Sequence, residues 1–365
     1  MNAMTVVTLV AGLVLLVAGA EGLVRGASRI ALSAGISPLV VGLTVVAFGT
    51  SSPEMAVSVS AVRSGATDIA IGNVVGSNIF NILLIVGLCA LVVPLVISWR
   101  LVRLEVPLMI GVSILLWLFL LDGALGRWEA AVLFGGLVGY TVWAIRASRK
   151  EGAAAREMSA PGAAPATVPS PWYVNVGYVA GGLVFLVAGS NWMVKSAVEI
   201  AQSFGLSELV IGLTIVAAGT SLPELATSVI ATIRGERDIA VGNVVGSNIF
   251  NILGVLGLSG LVSANALEAS SLVRNVDIPI MILVAAICFP IFFSGRNLMH
   301  RYEGFGFVVA YVLYVTYLIW SSRNSGAPDW YTSMVWFVLV PLSVLLVLVT
   351  AWRDRHLPIP NEALR

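Results

Sequence analysis

GTSSPE, residues 49–54, and GTSLPE, residues 219–224, decide how this sequence is read. The first copy lies within a long apolar run, with ALSAGISPLVVGLTVVAFGT ending at its threonine and MAVSVSAV following its glutamate. A threonine, two serines, a helix-breaking proline and a glutamate are out of place in a segment otherwise suited to lipid. A carboxylate near the centre of a membrane helix costs at least ~2.5 kcal/mol, so it normally faces a cavity and has a partner. Each copy therefore marks a site, and the rest of the chain says what kind.

Of the 365 residues, 58% are hydrophobic and 11% charged. A soluble domain carries roughly a quarter charged residues, so this chain lacks the charge to cover a water-facing surface. Apolar stretches of ~20 residues, each long enough to cross a bilayer, recur from end to end. The short alternating strands of a transmembrane barrel are absent. The composition predicts an all-α polytopic membrane protein. Helices are expected near 4–30, 38–63, 69–94, 102–121 and 127–146, then near 174–202, 208–234, 239–263, 275–294 and 303–322, with an eleventh near 333–352. The N-terminus lacks a basic n-region and reads as a first membrane helix. Residues 148–172, rich in Ala, Pro and Gly, read as a flexible cytoplasmic linker between a first unit, 1–147, and a second, 173–322. Residues 323–365 hold the extra helix and a polar tail.

The two units repeat. A shift of 170 residues places Gly19 on Gly189, Glu54 on Glu224 and Asn81 on Asn251 without a gap. Roughly two thirds of positions in 37–88 are identical in 207–258, and GNVVGSNIFNIL occurs at 72–83 and 242–253. Five helices separate equivalent points, so the copies enter the membrane in opposite directions. Counting Lys and Arg with the N-terminus outside gives fifteen on the cytoplasmic side and five on the other. Two inverted five-helix repeats with polar, interrupted helices are the pattern of a secondary transporter, its site at the repeat interface near the midplane. The expected location is a plasma or inner membrane, with linker and C-terminus cytoplasmic.

Thr50 and Glu54, four apart, share one helix face, with Ser51 beside them. Pro53 has no N–H and crowds the carbonyl of Gly49, so the helix should kink or open there and free carbonyls such as that of Ala47. The second copy supplies Ala217, Thr220, Ser221, Pro223 and Glu224. Neighbouring helices add Ser77 with Asn81, and Ser247 with Asn251. All are hard oxygen ligands, a set that suits Ca²⁺ or Na⁺ and argues against Zn²⁺ or Cu⁺. Two glutamates facing each other would repel when empty, and one divalent or several monovalent ions would neutralise them. Competition for one charged site is what an antiporter requires.

Each motif has a plainer alternative. The glutamates could make buried structural hydrogen bonds, and the Ser/Asn pairs could only join helices. Gly72, Gly76, Gly242 and Gly246 read as close packing positions, Asp68 and Asp238 as N-caps, and Asn73 and Asn243 as braces of the kinked neighbour. Glu105, Asp122, Glu268, Asp277 and Glu303 read as interfacial, His300 and His356 as solvated, and Cys89 and Cys288 as packed thiols outside any disulfide framework. A net charge of +1 without a Lys/Arg cluster gives no sign of nucleic acid. No nucleophile with a base, catalytic aspartate pair or zinc ligand set occurs at matching depths, so neither an enzyme nor a resident cofactor is expected. No obligate protein partner is evident.

The doubled GTS(S/L)PE and GNVVGSNIFN motifs resemble the α1 and α2 repeats of the cation/Ca²⁺ antiporter superfamily. The nearest resemblance is to its sodium/calcium exchanger branch and related bacterial or archaeal inner-membrane exchangers. The resemblance covers the ten-helix core. It implies that Glu54 and Glu224 bridge Ca²⁺ and share Na⁺, with Thr50, Ser51, Thr220 and Ser221 contributing oxygens. It also implies that Ala47 and Ala217 offer carbonyls to Na⁺, that Ser77 and Ser247 complete outer sodium sites, and that Asn81 and Asn251 line the centre. The long first and sixth helices would slide past the core. Such exchangers often carry an aspartate at one of the positions held here by Asn81 and Asn251. Two carboxylates therefore remain, and stoichiometry and counter-ion stay open. Proton-coupled relatives usually place a glutamate in a GNxxE pattern, which GNVVG lacks. Sodium coupling is expected, with H⁺ or K⁺ coupling of the same glutamate pair as the alternative.

Overall fold

The computed structural model describes residues 3–158, 171–204, 217–293 and 297–323. It is built from helices in two similar series. The first comprises α1 (Ala3–Ala34), α2 (Pro38–Thr50), α3 (Ser52–Arg63), α4 (Thr67–Val92), α5 (Leu101–Phe119) and α6 (Arg127–Met158). The second comprises α7 (Trp172–Ser203), α8 (Ala217–Thr220), α9 (Leu222–Ile233), α10 (Arg237–Val262), α11 (Val273–Phe293) and α12 (Arg301–Arg323). Among the described residues, eight helices are long and apolar enough to span a bilayer, or nine when α2 and α3 count as one bent span. The expected helix near 208–234 is described only from Ala217, and the expected eleventh helix lies outside the described residues.

The expected linker begins later than its composition suggests, because α6 runs on to Met158. The segment Glu151–Arg156 is mostly Ala, Glu and Arg, which are strong helix formers, so propensity prevails there.

Among the described residues there are four two-residue strands: β1 (Leu95–Val96), β2 (Ala124–Leu125), β3 (Leu267–Glu268) and β4 (Leu298–Met299). β1 pairs with β4 and β2 with β3, both antiparallel. Strands β1 and β3 are equivalent in the two halves, as are β2 and β4, so each pairing maps onto the other. Such exchanged contacts are what a two-fold relation between the halves produces.

The same exchange appears where α1 meets α7. A Cβ added to Gly19 would lie 2.7 Å from the Gly182 carbonyl, and one added to Gly189 would lie 2.6 Å from the Gly12 carbonyl. Gly12 and Gly19, like Gly182 and Gly189, are seven apart and fall on one helix face. Small residues let the two backbones touch, the packing that helices use where lipid offers no hydrophobic drive. The central stretch of α10 is enclosed and that of α4 mostly so, while α1 and α6 keep most of their surface outward. Gly242 and Gly246 pack as expected: added Cβ atoms would meet the Leu39 carbonyl at 2.8 Å and Leu43 Cα at 2.6 Å. Gly72 and Gly76 meet nothing within 4 Å among the described residues. Their equivalent partners would be residues 209 and 213, which are not described.

Candidate functional site

The chain breaks where the two motifs lie. Between α2 and α3 the axis turns by 44°, with Ser51 at φ −80°, ψ 6° as the joint. Ser221 has nearly the same dihedrals, φ −90°, ψ 8°. Pro53 and Pro223 are thus the second residues of new helices, where a missing N–H is tolerated, and not kinks inside continuous ones. Glu54 and Glu224 follow in the first turn, at the end of the helix dipole that favours negative charge. The Ala47 carbonyl is not freed by the break, since it accepts from Ser51 N at 3.0 Å. The carbonyl that Pro53 cannot serve is that of Gly49, which accepts from the main-chain N–H of the cap residue Ser51 and from Ser52 Oγ at 2.7 Å. Ala217 opens α8, and its side chain is not described.

The two glutamates, fully buried, are each held by the opposite half. Ser221 Oγ donates to Glu54 Oε1 at 2.8 Å, and Ser51 Oγ donates to Glu224 Oε1 at 3.0 Å. The Thr220 hydroxyl also reaches Glu54, and the Thr50 hydroxyl reaches Glu224. Thr50 Oγ1 lies 3.1 Å from Asn243 Oδ1 and 3.5 Å from Ser247 Oγ; Ser221 Oγ lies 3.1 Å from Ser77 Oγ. Asn81 and Asn251 sit on α4 and α10 at the first residue of a π-helical turn, a local widening often found at functional positions. Thr50, Ser51, Glu54, Ser77, Thr220, Ser221, Glu224 and Ser247 therefore form one polar cluster between the halves, against which the helical turns that begin with Asn81 and Asn251 pack. At and beside this cluster, Glu54 Oε2, Glu224 Oε2, Asn81 Oδ1 and Asn251 Oδ1 are buried with no hydrogen-bond partner among the described residues. Four orphaned oxygens, two of them carboxylate, suit a hard cation and nothing apolar.

Asn73 and Asn243 brace the broken helices as expected. Asn73 Nδ2 donates to the Glu54 carbonyl at 3.2 Å and Ser58 Oγ at 3.0 Å; Asn243 Nδ2 donates to Ser228 Oγ at 3.0 Å. Asp68 and Asp238 do not cap their own helices, whose N-caps are Ala66 and Glu236. Asp68 Oδ1 instead accepts from Ser270 N at 2.8 Å, in the other half, since it falls one residue inside its helix and points across the interface. Three acids expected at the interface are buried. Glu105 accepts from Tyr140 Oη at 2.7 Å, Asp277 from Tyr314 Oη at 3.0 Å, and Glu303 from His300 N at 2.6 Å. The next helix brings a tyrosine hydroxyl over Glu105 and over Asp277, whereas Glu303 takes its donor from the residue just before its own helix. Cys89 and Cys288 are buried free thiols.

Sequence reasoning missed Asn78 and Asn248. Both are buried and both bond across the halves: Asn81 Nδ2 donates to Asn248 Oδ1 at 3.0 Å and Asn251 Nδ2 to Asn78 Oδ1 at 3.1 Å. Their exact recurrence in both copies of GNVVGSNIFN was the available signal.

A polytopic helical protein whose two halves enclose paired carboxylates and amide oxygens defines a membrane cation-transport class. Residues 4–146 and 174–320 match the family model described as sodium/calcium exchanger protein. The chain belongs to this family. It is 40% identical over 315 residues to the "Putative antiporter CaxA" of Alkalimonas amylolytica, covering 85% of this chain and 97% of that one. It is 32% identical over 343 residues to the "Sodium/calcium exchanger MaX1" of Methanosarcina acetivorans, covering 85% and 96%. A solved structure of the sodium-calcium exchanger NCX_Mj, soaked with Na⁺ and Ca²⁺, superposes with a TM-score of 0.73 at 30% identity, covering 87% of this chain and 99% of that one. The protein is a multi-pass membrane transporter of this family and not an enzyme.

Proposed function

We propose that the protein exchanges Ca²⁺ for Na⁺ across a plasma or inner membrane by alternating access, with Glu54 and Glu224 as the shared charged ligands. The observation that carries this reading is the set of four buried, unpartnered oxygens supplied equally by the two halves. Ca²⁺ takes six to eight oxygens, and the Thr50, Thr220, Ser77 and Ser247 hydroxyls would be the further donors of its shell. Once the ion leaves, two carboxylates in a dry pocket need other positive charge, and Na⁺ fits the same hard donors. Entry of one cargo therefore requires exit of the other.

The two halves would lie upside down relative to each other, with the N-terminus outside and residues 148–172 cytoplasmic, so that the same motif faces each side in turn. The relatives named for sodium/calcium exchange and the Na⁺- and Ca²⁺-soaked neighbour support the choice of ions. Proton coupling is the second reading, favoured by the free Oε2 atoms of Glu54 and Glu224, either of which could carry a proton. Radiolabelled Ca²⁺ uptake into proteoliposomes under imposed Na⁺, K⁺ or pH gradients separates the two. An outward Na⁺ gradient should drive uptake; uptake driven only by pH would assign the exchange to protons.

A further inference from the structure

We infer that Asn78 and Asn248 are positioning residues that decide which atom of Asn251 and Asn81 faces the transported cation. This assignment rests on the exchange reading above, which supplies the cation. Asn78 Nδ2 donates to the main-chain carbonyl of Asn248 at 3.2 Å and points toward Met281 Sδ at 3.6 Å. Asn248 Nδ2 donates to the main-chain carbonyl of Asn78 at 3.3 Å and points toward Met109 Sδ at 3.6 Å. A main-chain carbonyl can only accept, so the nitrogen side of each amide is fixed. The oxygen side is then fixed too, and it must receive a hydrogen.

Asn251 supplies that hydrogen to Asn78, and Asn81 supplies it to Asn248. With their nitrogens committed, Asn251 and Asn81 are left with Oδ1 free, and these are the two amide oxygens that lack partners in the site. Rotated by half a turn, either amide would aim its N–H₂ at the ion, and a donor cannot bind a cation. Simple helix glue does not explain this chain of bonds. The reciprocal side-chain-to-main-chain pair between Asn78 and Asn248 would already join α4 to α10. The second tier of bonds adds orientation.

The wiring is crosswise. The amide that orients a ligand in one half belongs to the other half, because α4 and α10 cross with residues 78 and 248 opposite each other. Asn78 is therefore coupled to Asn251, 173 residues away, and not to Asn81 three residues on. It follows that each half presents a competent amide only when docked on its counterpart.

The test is a double-mutant cycle on the full-length protein purified in detergent, read as the Ca²⁺ dissociation constant in sodium-free buffer by calorimetry. The variants are Asn78→Ala, Asn248→Ala, Asn81→Ala, Asn251→Ala and their pairs. Asn78→Ala should weaken Ca²⁺ by about tenfold, within the coupling range of contacting residues. The Asn78→Ala/Asn251→Ala pair should bind no more weakly than Asn251→Ala alone, whereas Asn78→Ala/Asn81→Ala should multiply the two losses. Asn248→Ala should show the mirror pattern. Asn78→Ser, whose shorter side chain reaches neither the Asn248 carbonyl nor Asn251 Nδ2 but keeps a polar group in the site, should lose affinity equally and replaces the alanine variant if that one aggregates. Independent losses for the crosswise pairs, or wild-type affinity in Asn78→Ala and Asn78→Ser, overturn the inference. Failure of the wild-type protein to bind Ca²⁺ would instead sink the exchange reading, and the same cycle read with Na⁺ would then decide the role of Asn78.

Discussion

The two broken helices carry nearly the same sequence and solve the same backbone problem differently. At the first break Pro53 cannot donate to the Gly49 carbonyl, and the adjacent Ser52 hydroxyl does so at 2.7 Å. At the second, Pro223 leaves Gly219 in the same state, but position 222 is leucine. Ser190, from α7, reaches the Gly219 carbonyl at 2.6 Å. The residue equivalent to Ser190 in the first half is Ala20. One hydroxyl per break is kept, yet in one half it is local and in the other it ties a long neighbouring helix to the hinge. A second contrast lies in the buried acids. Glu105 has both Tyr140 and, 3.7 Å away, Arg100 Nε, while Asp277 has Tyr314 and position 272, equivalent to Arg100, is leucine. Repetition thus conserves the need of a backbone or a charge, and leaves open which residue meets it.

The contrast can be broken first at what the halves share. Glu54→Gln and Glu224→Gln each remove half the site's charge and should each lower Ca²⁺ exchange in proteoliposomes by about 100-fold or more, with membrane insertion unchanged, since charge count sets affinity in oxygen sites. A large difference between the two variants would show that the halves are not equivalent as ligands. The acid pairs come next. Tyr314→Phe leaves Asp277 without its buried donor and should lower stability by ~1–3 kcal/mol in mixed-micelle denaturation, with Tyr140→Phe costing less because Arg100 still faces Glu105.

The hinge hydroxyls should show smaller effects. Ser190→Ala should destabilise by ~1 kcal/mol, and adding Leu222→Ser should restore most of the loss by moving the donor to where the first half has it. No recovery in the double variant, followed by thermal unfolding, would mean that Ser190 matters for another reason. The smallest effect is expected at the surface. Glu21 pairs with Arg25 and with Arg234 across the halves, whereas the equivalent positions of Glu21 and Arg234 are Asn191 and Ser64. Arg234→Gln should change stability by less than ~1 kcal/mol and lose even that in high salt.

Much of the site was legible because polar residues are expensive in an apolar chain. Glu54, Ser51, Ser77 and Asn81, each repeated 170 residues on, needed a reason to be there, and all of them and their repeats are buried. Asn78 and Asn248 were just as visible as letters, but a helical asparagine beside other asparagines reads as glue until its partner's main chain is seen. Ser190 could not be assigned at all, because its partner carbonyl is 29 residues away and carries no side-chain mark. Glu105 and Asp277 read as interfacial because they lie near helix ends, and only the packing of α6 and α12 over them shows that a tyrosine hydroxyl meets each.

By itself the sequence determined the membrane class, the doubled architecture and the polar residues of the candidate site, since hydropathy and repetition are properties of the chain alone. The tertiary structure decided which oxygen each serine holds, which hydroxyl meets the carbonyl at each break and which way each amide faces. Those are choices between donors and acceptors brought together from opposite halves, and a hydrogen bond's direction exists only once both partners are in place.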